Sequence, residues 1–141
     1  MHVFFLLILF LLVVQPANAD DDDIIARIRA GDAASGKKVY QRCIACHTID
    51  KRGEHRVGPN LYGIIGRRAG GDPTYGNYSE AMQNSEIILD YKNLDLYLEN
   101  SKLLIPKNRM AHGRMANPQE RADIIQFLRV YHDNPPPLKT D

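Results

Sequence analysis

Apolar positions in this chain recur with a helical period in several stretches and with a strand period in none. Gly36, Val39, Tyr40 and Cys43 fall at i, i+3, i+4 and i+7, one face of a helix that Asp32 would cap. A second short helix is expected over residues 78–85. A third is expected over residues 94–100, with Leu94, Tyr97 and Leu98 on one side and a cap near Asp90. The clearest signal is the last helix, where Asn117 as N-cap, Pro118 at the first helical position and Glu120 three places after the cap make a capping-box-like start. Ile124, Phe127, Leu128 and Tyr131 form its apolar face, and the prolines at 135–137 stop it. Residues 51–76 and 103–116 keep no sustained period and are rich in glycine, proline and basic side chains, so they read as loops. The pattern predicts an all-α domain of about four short helices joined by generous loops. Loops that long in a compact domain need something to wrap around, and helices this few bury little core of their own. A large apolar cofactor meets both needs.

The first residues follow a different pattern. An apolar run over residues 3–14 breaks at Gln15 and Pro16 and is followed by Ala17, Asn18 and Ala19, a small-x-small cleavage signal. The run is shorter than the roughly 20 residues that a membrane-spanning helix needs. Cleaved export is therefore expected, with the mature chain starting at Asp20, although no lysine or arginine precedes the run. The boundaries expected are a signal peptide at 1–19, a solvated acidic leader at 20–30, one domain at 31–134 and a proline-rich tail at 135–141. Lysine and arginine (18) almost cancel aspartate and glutamate (17), which gives no footing for a nucleic-acid partner.

The candidate chemistry sits at residues 42–50, RCIACHTID, which hold both cysteines of the chain, three apart, with His47 directly after the second. Three kinds of site use such a pair. Zinc requires about four ligands, and no second CxxC or HxxxH is present. A redox dithiol belongs between a strand and a helix, whereas this pair ends a helix. In the third, both thiols add to the vinyl groups of a haem and the adjacent histidine becomes an axial ligand. In an exported protein a structural disulfide stands beside these as the plain alternative.

Several separate segments, in order, resemble the class I cytochromes c, small electron carriers. GKKVYQRCIACHTID is similar to that family's first helix and haem attachment site, and GPNLYGIIGR to the loop that follows. YLENSKLLIPKNRM resembles the segment bearing the second axial ligand, and ERADIIQFL the C-terminal helix. The resemblance spans nearly all of the expected mature chain, and the leader at 1–19 favours a bacterial exported type.

The resemblance implies that Cys43 and Cys46 hold one haem c, that His47 is the proximal ligand and that Met110 is the second axial ligand, with His112 its rival. It implies that the Pro59 carbonyl accepts from the other ring nitrogen of His47. Arg67 and Tyr78 would meet a haem propionate, Tyr97 would approach the methionine sulfur, and Gly36 and Phe127 would mark the crossing of the first and last helices. The chain departs from the family where a tryptophan usually meets the inner propionate, because it has none and Leu89 stands there. Met82 and His112 replace a frequent asparagine and phenylalanine. The function implied is non-enzymatic electron transfer in the periplasm by a monomer not inserted in the membrane. Lys37, Lys38, Arg42, Lys102, Lys107 and Arg109 would steer redox proteins with acidic docking surfaces. Two other roles remain open on the same residues: a cytochrome subunit of a periplasmic dehydrogenase complex, or a haem peroxidase or gas sensor with the sixth position free.

Overall fold

The computed structural model describes residues 19–111 and 114–139; the expected signal peptide, apart from Ala19, and His112 lie outside the described residues. Five helices occur among them: α1 (Ala19–Ala30), α2 (Ala33–Tyr40), α3 (Glu80–Gln83), α4 (Tyr91–Leu104) and α5 (Pro118–Val130). The only strand-like feature among the described residues is an isolated antiparallel bridge between Arg68 and Ile88, so the domain is all-α.

Each helix from α2 onward starts where its cap residue dictates. The Asp32 carboxylate accepts from Ala34 and Ser35, Ser79 from Met82, Asp90 from Asn93 and Asn117 from Gln119. The capping box expected at α5 is not how Glu120 is used, because its carboxylate binds Arg42 at 2.7 Å. α2 crosses α5 so closely that a Cβ on Gly36 would fall 2.0 Å from the Asp123 carbonyl oxygen, and only glycine permits that approach. Tyr40 packs its ring 5.3 Å from that of Phe127 at the same crossing. Ile124, Ile125, Phe127 and Leu128 on α5 and Leu94, Tyr97 and Leu98 on α4 fill the core.

The acidic stretch at 20–30 is not a solvated leader. It is α1, which seats Ile25 and Ile28 in the core while leaving Asp23 in water. α1 packs on α4 and α5, and Arg27 reaches the buried Asp95 of α4 at 3.1 Å. The proline-rich tail also folds back: Tyr91 Oη donates to the Pro136 carbonyl at 2.5 Å, and Arg29 donates to that of Leu138 at 2.9 Å. Both ends thus pack on α4 and α5, with Arg129 of α5 donating to the Pro136 carbonyl at 3.0 Å, and the tail also meets the loop, where Pro136 lies against Gly66. No helix among the described residues is long and apolar enough to cross a membrane.

The long loop over 41–79 is tied across rather than loose. Leu61 N–H bonds the Thr48 carbonyl, Gly63 N–H that of Tyr131, and Gly66 N–H that of Leu89, all at 2.8–2.9 Å. These ties hold the loop as a wall facing α4 and α5, with a cavity between.

Candidate functional site

After α2 the chain winds on as turns. Cys43 N–H donates to the Tyr40 carbonyl at 2.7 Å, and the N–H groups of Cys46 and His47 both reach the Cys43 carbonyl, at 3.0 and 2.9 Å. This winding sets Cys43, Cys46 and His47 on the wall of a cavity of about 430 Å³. The two thiols are not joined to each other. Burial pushes the Cys43 thiol pKa up, against a smaller pull from Arg42. A redox dithiol needs the opposite shift. Zinc is no better served, because among the described residues no three His, Cys, Asp or Glu side chains converge.

His47 Nδ1 lies 2.7 Å from the Pro59 carbonyl oxygen. A carbonyl only accepts, so Nδ1 carries the proton and Nε2 keeps its lone pair. Burial pushes the imidazole pKa down and the Pro59 bond partly offsets this, which keeps the ring neutral and able to ligate a metal. Gly58 reserves the space for the ring, since a Cβ there would stand 2.3 Å from His47 Cε1.

Met110, on the loop after α4, is half-buried and lines the same cavity. Tyr97 of α4 is buried on the wall of the same cavity, and burial, helped by Tyr78, pushes its hydroxyl up to about 12. Of the other methionines, Met82 also lines the cavity from α3, whereas Met115 is buried with its N–H on the Leu98 carbonyl.

Arg67 and Tyr78 sit together at the polar part of the wall. Arg67 pairs with Asp72 at 3.2 Å and donates to the Asn60 carbonyl at 2.9 Å, yet its Nε is buried with no partner. Burial raises the Tyr78 hydroxyl pKa, with Arg67 opposing. Much of the remaining lining is apolar, including Leu61, Ile64, Leu94, Leu98 and Leu128, and Leu89 presents hydrocarbon where the resemblance would put a tryptophan.

All eight residues singled out in the sequence, Cys43, Cys46, His47, Pro59, Arg67, Tyr78, Tyr97 and Met110, therefore line one cavity. The set fits haem c: an apolar slot, two thiols, a neutral imidazole with a free lone pair, a thioether, and in Arg67 Nε a donor short of an acceptor such as a carboxylate. Three contributors escaped the sequence reading. Gly58 could have been suspected from its place before Pro59. Asp72, which neutralises Arg67, and Asn108, which bonds the Met110 backbone at 2.9 Å, carry no sequence signal of their own.

The family model for cytochrome c matches residues 33–130 of the chain. The chain is 41% identical over 103 residues to cytochrome c2 of Rhodomicrobium vannielii, covering 73% of this chain and 82% of that one. It is 42% identical over 100 residues to cytochrome c of Sesamum indicum, covering 70% and 89%. Among solved structures it is similar to cytochrome cH from Methylobacterium extorquens, with a TM-score of 0.65 and 34% identity over 71% of this chain and 99% of that one. α1 and the folded-back tail lie outside the residues matched by the family model.

Proposed function

The chain belongs to the cytochrome c family and its cofactor is covalently bound haem c; from that premise we propose that it is an exported, periplasmic electron carrier in which Cys43 and Cys46 attach the haem and His47 and Met110 ligate its iron. When bound, the haem supplies a reversible one-electron couple. The protein's part is to hold that couple dry, saturated and oriented. Pro59 fixes the His47 tautomer, and Arg67 offers its unpaired Nε–H to a propionate. Tyr97 offers a hydroxyl that burial keeps protonated far above neutral pH.

The observation that carries this reading is a neutral His47, with Nε2 free, sharing one cavity with Met110 and two unlinked thiols. With His47 and Met110 both ligating, a thioether together with an imidazole would favour ferrous iron and would leave no position free for peroxide or gas. That separates a carrier from the peroxidase or sensor reading. Arg42 and Arg109 stand on the cavity rim and Lys37, Lys38 and Lys107 are exposed, which supports redox partners with acidic docking faces.

The test is the weak sulfur-to-iron charge-transfer absorption of the ferric protein at neutral pH. It is expected in the wild type and lost in Met110→Ala. A band that survives the substitution would remove Met110 as ligand.

A further inference from the structure

Resting on the proposal that Met110 is an axial ligand, we propose that Asn108 is a positioning residue that holds the Met110 backbone at the end of α4 and thereby keeps the sulfur committed to the iron. Asn108 is 3% exposed, and every polar atom of its amide is used. Nδ2 donates to the carbonyls of Ser101, in the last turn of α4, and of Ile105, its C-cap, each at 2.8 Å. Oδ1 accepts from Met110 N–H at 2.9 Å, and the Ser101 hydroxyl stands 3.4 Å away on the same oxygen. The amide has one possible orientation, because carbonyls only accept and a backbone N–H only donates.

Binding the α4 carbonyls would be an ordinary helix cap. The bond to Met110 goes further. It closes an Asx turn from residue 108 to residue 110 and so ties the Met110 backbone to the helix that carries Tyr97. The chain arrives there through a tight turn, with Asn108 N–H on the Ile105 carbonyl at 3.3 Å, Pro106 next and Lys107 at φ +66°. Lys102 Nζ clamps the Asn108 carbonyl from outside. On its far side the loop is held by Met115 N–H on the Leu98 carbonyl at 2.8 Å, again on α4. Met110 therefore hangs between two anchors on one helix, and Asn108 is the nearer.

If Asn108 holds Met110 in place, letting the sulfur go strains or breaks the bond from Met110 N–H to Asn108 Oδ1, so its cost is read by a competitor that takes the vacated position. The experiment measures imidazole affinity of the ferric holoprotein at fixed pH for wild type, Asn108→Ala and Asn108→Ser, with unfolding stability measured on the same samples. Serine keeps an oxygen able to accept from the N–H two residues on but lacks two donors for the α4 carbonyls. Asn108→Ala is expected to bind imidazole about tenfold more tightly than wild type, the size of one lost buried hydrogen bond. Asn108→Ser is expected to stay within about threefold of wild type although its stability falls as well. Should Asn108→Ala not fold, Asn108→Gln, which carries the same amide one methylene out of the turn, replaces it with the same expectation. An alanine or glutamine variant that binds imidazole as wild type does, or a serine variant indistinguishable from alanine, overturns the proposal. Failure of the underlying ligand assignment looks different, because the wild type itself would then lack the sulfur-to-iron band.

Discussion

Replacing Asp95 by alanine should destabilise the protein more than any single surface change. Its carboxylate is buried between two guanidinium groups, Arg121 Nε at 3.0 Å from Oδ1 and Arg27 Nη2 at 3.1 Å from Oδ2, with only 2% of the side chain exposed. The pair Asp95 and Arg121 joins α4 to α5, and Arg27 adds α1. Removing one partner of a buried ion pair costs about 3–5 kcal/mol, because the partner's charge stays buried without compensation. The lower end applies here. Arg121 keeps the Met115 carbonyl at 2.8 Å and Glu99 at 3.8 Å, and Arg27, 19% exposed, keeps Asp23 at 3.2 Å. A loss of about 3 kcal/mol in a domain of this size lowers Tm by roughly 10–15 °C. Denaturation of the holoprotein followed by far-UV circular dichroism measures it. Asp95→Leu combined with Arg121→Leu should recover part of the loss, since Arg121 then leaves no charge buried, while Arg27 still lacks Asp95. An Asp95→Ala protein within about 1 kcal/mol of wild type would refute the view that this triad binds α1 into the fold.

Lys107 adopts φ +66°, a region that favours glycine, so Lys107→Gly should stabilise by about 0.5–1 kcal/mol after the entropy of the freer unfolded chain is set against the relieved strain; equilibrium urea unfolding checks this. Burial, helped by Tyr78, pushes the Tyr97 hydroxyl up to about 12 in the folded protein, above its ordinary value near 10, so the unfolded chain releases that proton first. Stability is intact below pH 10 and falls as pH rises toward 12, and Tyr97→Phe should flatten that decline; an equal slope in both proteins would contradict the burial argument. With an acidic redox partner the bimolecular electron-transfer rate should drop as salt is added, and a flat dependence would remove the basic rim from the docking account.

Local signals carried most of the fold. Asp32 and Asn117 announced α2 and α5 because a cap is a contact between neighbours in sequence, and the CxxCH run announced the site for the same reason. α4 proved longer than the expected 94–100: Asp90 caps it at Tyr91, and beyond Asn100, where the backbone leaves helical angles (φ −159°, ψ 94°), it continues to Leu104. α1 went unread because four aspartates dominate its start. Its Ile24, Ile25 and Ile28 do share a face, but only packing against α4 and α5 makes that face worth burying. Asp95 and Arg121 look like surface charges in a linear reading, and only the approach of α4 to α5 pairs them. Asn108 is hidden for a related reason, since its role depends on a turn that places a lysine at positive φ.

If Cys43 and Cys46 hold the haem by covalent bonds beside His47 and Met110, extraction that removes free haem leaves it on the chain. The intact mass of the purified protein before and after acid-acetone extraction decides this. A chain beginning at Asp20 is expected to keep the mass of one haem through extraction, and the variant with both cysteines replaced by alanine is expected to keep none. A wild-type chain that emerges from extraction without haem would contradict it.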